Sequence, residues 1–344
     1  MFVLIVISIY FLMNWYVLGR LAYLFGIKKA ILFYVVVAAM TLSLVAAVAM
    51  DTRIGNRLTG AFFTIATMWL GICFLFVWCL VGLQAIGWFV KMPPTAVAAA
   101  AIGFVTVLTL YAAINAPTVY TRKIELAAPV NLRIAHISDV HIGSVGCGFL
   151  SHVVDKINEL EPDVVLITGD LVDNDKAATA TSLEQLNRLV VPVFFVTGNH
   201  EGYVGYDKVQ KLLAATRVHW LHNEAVMLDN VRIVGVDDNI KAGAMDDILS
   251  RFGGGSAYTI LMYHRPEWFN IAARRNVDLM LTGHTHYGQI WPFNFVVGSI
   301  YKYIGGLHKI DNMHLSVSAG TGTWGPRMRI GSNSEVVLID LKKP

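Results

Sequence analysis

Residues 61–90 read AFFTIATMWLGICFLFVWCLVGLQAIGWFV, thirty residues without a charged side chain. A soluble domain of ordinary size has no place for such a run, whereas about 20 apolar residues cross a bilayer core as a helix. Residues 2–18, 30–50 and 95–117 have the same character. The first of these is slightly short and contains Asn14. It lacks the basic flank and small-residue cleavage site of a signal peptide, so it reads as a retained span. Residues 1–118 are therefore expected to form a membrane part of four transmembrane helices, making the chain a multi-pass protein of the cell membrane with the lipid bilayer as its first partner. No ionisable residue lies near the middle of a span, which argues against an ion or proton path. A transporter with a regulatory domain is the minor alternative.

Charge divides the chain at the same place. Residues 1–118 carry one acid, Asp51, and six Lys or Arg, a net +5; the remaining 226 residues are net −2. The basic balance thus belongs to the flanks of membrane spans, and no nucleic-acid partner is expected. Basic residues split four against four between the two sides of the membrane, so the positive-inside rule leaves the side of the C-terminal part undetermined. Cys147 is alone in that part, which excludes an internal disulfide there and any tetrathiolate zinc site; folding should not depend on it.

Residues 119–344 are expected to form the second domain, joined to the spans by a short segment near 118–130. Strands are expected at 131–138, 164–168 and 192–197, with helices at 149–160, 182–190 and 206–216 between and after them. A more antiparallel stretch should follow, with strands at 226–229, 231–236, 258–263, 278–282, 314–318 and 335–341. The fold class is α/β, two packed β-sheets flanked by helices and preceded by the four spans.

Five short blocks stand at the ends of these strands: Ser138-Asp139-Val140-His141, Gly169-Asp170-Leu171-Val172-Asp173, Gly198-Asn199-His200-Glu201, His264, and Gly283-His284-Thr285-His286. Strand C-termini are where open α/β sheets place their sites. Asp170 can bridge two cations, Asn199 adds a neutral oxygen, and the histidines add imidazoles. Mixed nitrogen and oxygen donors suit two divalent transition-metal ions (Mn, Fe, Zn, Co and Ni are not distinguished) and give little preference for Ca. Two such ions can orient a phosphoryl group and provide a bridging hydroxide as nucleophile. Hydrolysis of a phosphate ester is the chemistry to expect. Asp173 either orients a histidine ligand or caps the next helix, and Glu201 is equally open.

In these blocks the chain resembles the calcineurin-like metallophosphoesterase superfamily, whose pattern is Asp-x-His, Gly-Asp-x-x-Asp, Gly-Asn-His-Glu/Asp, His and Gly-His-x-His. The likeness spans about 132–286 and extends in its late blocks to about 340. It implies that Asp139, His141, Asp170 and His286 hold one metal, and Asp170, Asn199, His264 and His284 the other. It further implies that His200 contacts the phosphate and helps the leaving group. Gly235-Val236-Asp237-Asp238, the extended block His284-Thr285-His286-Tyr287-Gly288-Gln289 and the tail Ser318–Arg327 resemble a bacterial membrane-associated branch. A lipid-linked phosphate mono- or diester is the expected substrate, because the short linker keeps the site near the headgroups. The alternative is the pyrophosphate of UDP-2,3-diacylglucosamine. In the tail, Gly320, Gly322 and Gly325 with Trp324 and Arg327 form either a loop beside the metals or a packed turn. The segment Ile290-Trp291-Pro292-Phe293-Asn294-Phe295 is either core or a surface that meets acyl chains.

Overall fold

The computed structural model describes residues 2–28, 30–146, 148–173, 180–252 and 257–344; Cys147 lies outside them. By internal contacts the chain divides into two compact units, one of residues 1–114 with 325–328, the other of residues 115–324 with 329–344.

The first unit is built on four helices, α1 (Phe2–Leu24), α2 (Ile31–Arg53), α3 (Arg57–Ile86) and α4 (Pro94–Asn115), all long and apolar enough to span a bilayer. The chain is a multi-pass membrane protein with its second domain outside the bilayer. The α1 helix runs beyond the apolar segment through Arg20, which removes the shortfall in its length. Asn14 is buried and satisfied: its amide donates to the Tyr10 carbonyl at 2.9 Å and its oxygen accepts from Trp69 Nε1 at 2.8 Å. Asn56 starts α3 with a capping box, its side chain accepting from the Thr59 amide while the Thr59 hydroxyl accepts from the Asn56 amide.

Among the described residues the second unit contains twelve strands: β1 (Val119–Ala127), β2 (Leu132–Ile137), β3 (Val164–Thr168), β4 (Val193–Val196), β5 (Val218–Trp220), β6 (Glu224–Leu228), β7 (Val231–Gly235), β8 (Tyr258–Met262), β9 (Leu279–Thr282), β10 (Gly306–Ile310), β11 (Met313–Val317) and β12 (Ser334–Lys342). They form two six-stranded sheets, in the orders β1-β12-β2-β3-β4-β5 and β10-β11-β9-β8-β7-β6. The helices of this unit are α5 (Phe149–Glu159), α6 (Ala180–Leu183), α7 (Asn199–Val204), α8 (Tyr206–Leu213), α9 (Ala242–Phe252), α10 (Phe269–Arg274) and α11 (Phe293–Ile300).

Period-two alternation assembles the layers. In β3, Val164 and Leu166 enter the core between the sheets, while Val165 and Ile167 face the layer that contains Val153, Val154 and Ile157 of α5. In β9, Leu279 and Leu281 face the same central core, and Met280 joins Met245 and Leu249 of α9 on the outer side.

Two expectations are corrected. The segment after the spans is not a free linker. Residues Val119–Ala127 pair in parallel with β12 along its whole length, from Val119 opposite Ser334 to Ala127 opposite Lys342. The connection between α4 and β1 therefore shrinks to Ala116, Pro117 and Thr118. Nor is the second sheet mainly antiparallel: β7, β8, β9 and β11 run parallel, and only the hairpins β6–β7 and β10–β11 are antiparallel.

The direction of β1 matters for function. Strand β12 is antiparallel to β2, with Val337 opposite His136, and β1 is parallel to β12. Val119 thus stands at the sheet end where β2, β3 and β4 finish. The residues before it are fastened there: Asn115 Nδ2 donates to the carbonyls of Arg329 (3.3 Å) and Ser332 (3.2 Å), and Ser334 Oγ donates to the Ala116 carbonyl at 2.7 Å.

Leu166 is fully buried between the sheets. Leu166→Ala should destabilise the catalytic unit by about 2–5 kcal/mol, the range for a buried leucine truncation. Thermal unfolding of the full-length protein in detergent should show a clearly lowered transition for that unit.

Candidate metal centre

The blocks converge because their loops leave neighbouring parallel strands at one end. Asp139 follows β2, Asp170 follows β3, and Asn199 and His200 open α7 after β4. The second sheet contributes His264 after β8, and His284 and His286 after β9. The exits of β2 and β3 are stitched by backbone bonds, Asp139 N–H to the Gly169 carbonyl and His141 N–H to the Asp170 carbonyl, both at 3.0 Å.

The glycines of the blocks have a steric cause. A Cβ on Gly198 would collide with the Asp170 carboxylate, and one on Gly283 with Ser138 Oγ and the Asp139 carboxylate. Each glycine lets one loop's backbone lie against another loop's acid. The price is carried by the ligand candidates themselves: Asp139, His141, Asp170, His284 and His286 all have φ between 48° and 72°. Non-glycine residues rarely adopt that left-handed region unless the surroundings enforce it.

Two groups of donor atoms result, Asp139 with His141 and His286, and Asp170 with His264 and His284. Asp170 joins them. Its Oδ2 lies 3.2 Å from His264 Nε2 and 3.9 Å from His141 Nε2. A third cluster, His141 with Asp173 and His200, is closed by hydrogen bonds, since Asp173 accepts from Nδ1 of both imidazoles and from the Ser144 hydroxyl. Asp173 is therefore a brace for two histidines. Glu201 is a clamp: fully buried, it accepts from the amides of Asp170 (2.9 Å), Leu171 (2.8 Å), Val172 (3.1 Å) and Gly198 (2.7 Å).

The donor set fits cations. His264 Nδ1 is 2.8 Å from the Thr168 carbonyl, which can only accept, so Nδ1 carries a proton and Nε2 is the nitrogen turned inward, the one that would ligate. That nitrogen faces His284 Nδ1 at 3.2 Å, and His141 Nε2 faces His286 Nε2 at 3.0 Å. Paired imidazole nitrogens at such distances need a proton or a metal ion between them. Asn199 Oδ1 is buried and has no hydrogen-bond partner, a neutral oxygen left for a cation. These are two metal-ligand clusters consistent with a bimetal centre.

The electrostatics point the same way. Burial lifts the Asp170 carboxyl, yet the imidazoles of His264, His200 and His141 outweigh it and hold Asp170 well below the usual carboxylate range. Burial, with the Asp170 charge added to it, raises Asp139 against the opposing pull of His264 and His141. Burial also depresses His284 to about 3 and keeps His286 well below its ordinary value, so both rings stay neutral and able to ligate. His200 goes the other way: burial disfavours its charge, but the Asp173 carboxylate raises it to about 9.

Over residues 132–288 the chain matches the family described as calcineurin-like phosphoesterase. It is 32% identical over 252 residues to an uncharacterized metallophosphoesterase of Campylobacter jejuni, covering 69% of this chain and 67% of that protein. The chain belongs to the calcineurin-like metallophosphoesterases. An uncharacterized metallophosphoesterase of Aquifex aeolicus is 30% identical over 246 residues, 68% of this chain and 93% of its own. A transmembrane protein with metallophosphoesterase domain from Bos taurus is 34% identical over 276 residues, 71% of this chain and 62% of its own length. As a member of the family the chain is a metal-dependent phosphohydrolase.

Three supports of this metallophosphoesterase centre escape sequence reading. Tyr301 places its hydroxyl 2.8 Å from His284 Nε2, holding the ring that turns Nδ1 to the centre. Arg265 forks onto Asp238 at 2.8 and 2.9 Å, fixing the loop after His264. Arg329, two residues beyond the arginine singled out in the tail, is fully buried. Its guanidinium donates to the carbonyls of Ala319 (2.8 Å) and Gly322 (2.7 Å) and lies 3.3 Å from His286 Nδ1. Trp324 stands at the mouth, its ring 6.0 Å from that of His200, and Gln289 holds its backbone through both amide groups. Nothing in the local sequence separates Tyr301 or Arg329 from other residues of their kind, because their partners lie in distant loops.

Asp173→Asn should weaken metal retention by about 10–100-fold, the usual effect of losing a partner of a ligating histidine. Because the same side chain holds His200, turnover at saturating metal should fall as well. Metal content measured beside kcat across a metal titration checks both parts.

Proposed function

We propose that the chain is a membrane-bound phosphoesterase acting on phosphate mono- or diesters carried by lipids, within a bacterial membrane-associated branch of its family. One metal would be held by Asp139, His141, Asp170 and His286, and the other by Asp170, Asn199, His264 and His284. The observation that carries this assignment is Asp170 Oδ2, which faces the imidazole nitrogens of both groups. When bound, the two cations supply a water made nucleophilic near neutral pH and Lewis-acid stabilisation of the phosphoryl oxygens.

The chain's own residues do the rest. Asp170 and Asp139 concentrate negative charge where cations must sit, and Glu201 fixes the loops that carry Asp170 and Asn199. His200 has its Nδ1 anchored 2.8 Å from Asp173 and its Nε2 turned toward Asp170 at 3.9 Å. A ring charged near neutral pH keeps a proton on Nε2 for the leaving group. Water gives up one proton to solvent and forms the new P–O bond as the bond to the leaving oxygen breaks, the Nε2 proton passes to that departing oxygen, and His200 regains a proton from solvent.

The lipid-linked substrate is supported by where the chain enters the unit. The last span ends at Asn115, and β1 begins at Val119 on the metal end of its sheet. Three intervening residues reach about 10 Å at most. A headgroup phosphate needs no further transport to meet such a centre, whereas a freely diffusing metabolite gains nothing from it.

His200→Ala should lower kcat by about 10²–10⁴, the range for a positioned proton donor, with both metals retained. Loss of one metal in that variant would make His200 a ligand instead. The substrate class is checked by turnover of the full-length protein in lipid nanodiscs across lipid phosphates, UDP-2,3-diacylglucosamine and water-soluble esters. Lipid-borne phosphates should show the highest kcat/KM; a uniform preference for soluble esters would defeat the lipid assignment, and preferred cleavage of the UDP-lipid would redirect it to pyrophosphate hydrolysis.

A further inference from the structure

Helix α11 (Phe293–Ile300) is an anomaly for the surface of a globular unit. Its sequence FNFVVGSI holds no charged residue, and none of its eight residues is buried. Phe293, Phe295, Val296 and Ile300 are exposed, Phe295 at 68% and Ile300 at 71%, and Trp291 just before the helix is exposed as well. A contiguous apolar patch of this kind marks an interaction surface. It is not loosely attached. Gly288 has no Cβ because the backbone of Asn294 occupies that place, and the Trp291 amide donates to the Ile330 carbonyl at 2.8 Å. At the far end Tyr301 bonds His284. The helix is thus held at its start through Gly288 and Ile330 and at its end through Tyr301, the partner of His284.

We propose that α11 is an interfacial membrane helix that inserts its apolar side chains among the acyl chains beside the metal centre. The occupant follows from connectivity. The chain carries four candidate spans, and the last is joined to β1 by Ala116–Thr118 only. Val119 starts at the same end of the first sheet as the exits of β2, β3 and β4. The loop after β9 brings α11 out beside those exits, since His284 and His286 meet Asp139 and His141 there. The three-residue connection keeps the membrane-spanning part of the chain close to Val119, and the loop that carries α11 leaves the sheets at that same end. Charge agrees: the helix has none, and Lys302, exposed just past its end, suits the phosphates of headgroups above buried acyl chains. Insertion would set the height of His284 and His286 relative to the headgroup layer, because the helix and both histidines belong to one braced loop.

This inference rests on the membrane spans and the sheet topology, not on the identity of the substrate. The test uses full-length protein with Cys73, Cys79 and Cys147 replaced, in nanodiscs of phosphatidylcholine with phosphatidylglycerol. A polarity-sensitive fluorophore is attached at Phe295→Cys, at Ile300→Cys and, as control, at Val190→Cys. Val190 is 89% exposed and precedes β4, at the sheet end away from the metals. Labels at 295 and 300 should shift to the blue and be quenched by doxyl-labelled lipid, while the label at 190 stays open to aqueous iodide. Equal iodide quenching at all three sites, with no lipid quenching, would overturn the proposal. So would burial of the labels that depends on protein concentration and ignores the lipid quencher, the mark of a second copy covering the helix. As a second measurement, Phe295→Glu combined with Val296→Glu should abolish insertion read by the label at 300. The same variant should leave turnover of a water-soluble ester within about twofold, which shows that the unit folds. Lipid quenching at 300 that persists in this variant would also count against the proposal. If the labels insert but lipid phosphates prove poor substrates, the helix assignment stands and only the substrate assignment falls.

Discussion

One buried carboxylate, Glu201, organises the catalytic end. A carboxylate out of water is costly unless its oxygens are filled by donors. Glu201 meets that demand by taking four backbone amides, three from the loop after β3 and one from the loop after β4. The demand is what makes the two loops hold one shape. Asp170 and Asn199 are carried on those loops, and Asp170 in turn accepts from the His200 amide at 2.8 Å. Remove the clamp and four amides lose their partner at once, at the point where metal ligands must be held to within a fraction of an ångström.

The strain visible at the ligands follows from the same constraint. Five ligand candidates sit at left-handed φ, each at a cost on the order of 1–3 kcal/mol. Asp139 and His141, like His284 and His286, are two residues apart and would share a face on a continuing strand, but the strand would carry them on along the sheet instead of turning them in together. The turn to positive φ after β2, β3 and β9 redirects the chain at Asp139, Asp170 and His284, and the two-sheet core behind, from Ile134 to Leu281, holds those loops in place.

Much of this was readable in advance because it is local. The apolar runs, the buried strand VVLIT, the amphipathic α5 and the ligand blocks each declare themselves within a few residues. What escaped is non-local. Residues 119–127 look like a linker because their partner β12 stands about two hundred residues away, and without it the alternation of Ile124 and Leu126 has no face to fill. The parallel centre of the second sheet escaped for a related reason: β7 and β8 are short apolar strands whose direction depends on the α9 crossover between them. Sequence alone leaves Asp173 and Glu201 open between capping and support, and only the placement of His141 and the Asp170 loop separates the two. Tyr301 and Arg329 gave no signal, since a tyrosine after an apolar helix and an arginine in a glycine-rich tail are common.

The β1–β12 pairing also bears on how the protein is made. Strand β12 lies between β1 and β2 and completes the first sheet from the middle. Until residues 334–342 leave the ribosome, β1 and β2 each present a bare edge of unpaired amides and carbonyls, while the four spans have long since been synthesised. Such edges are templates for wrong pairing. Assembly of the catalytic unit is therefore a late event at the membrane surface, after span insertion, and the interval before β12 arrives is when a nascent chain crowded beside its copies is most exposed to aggregation.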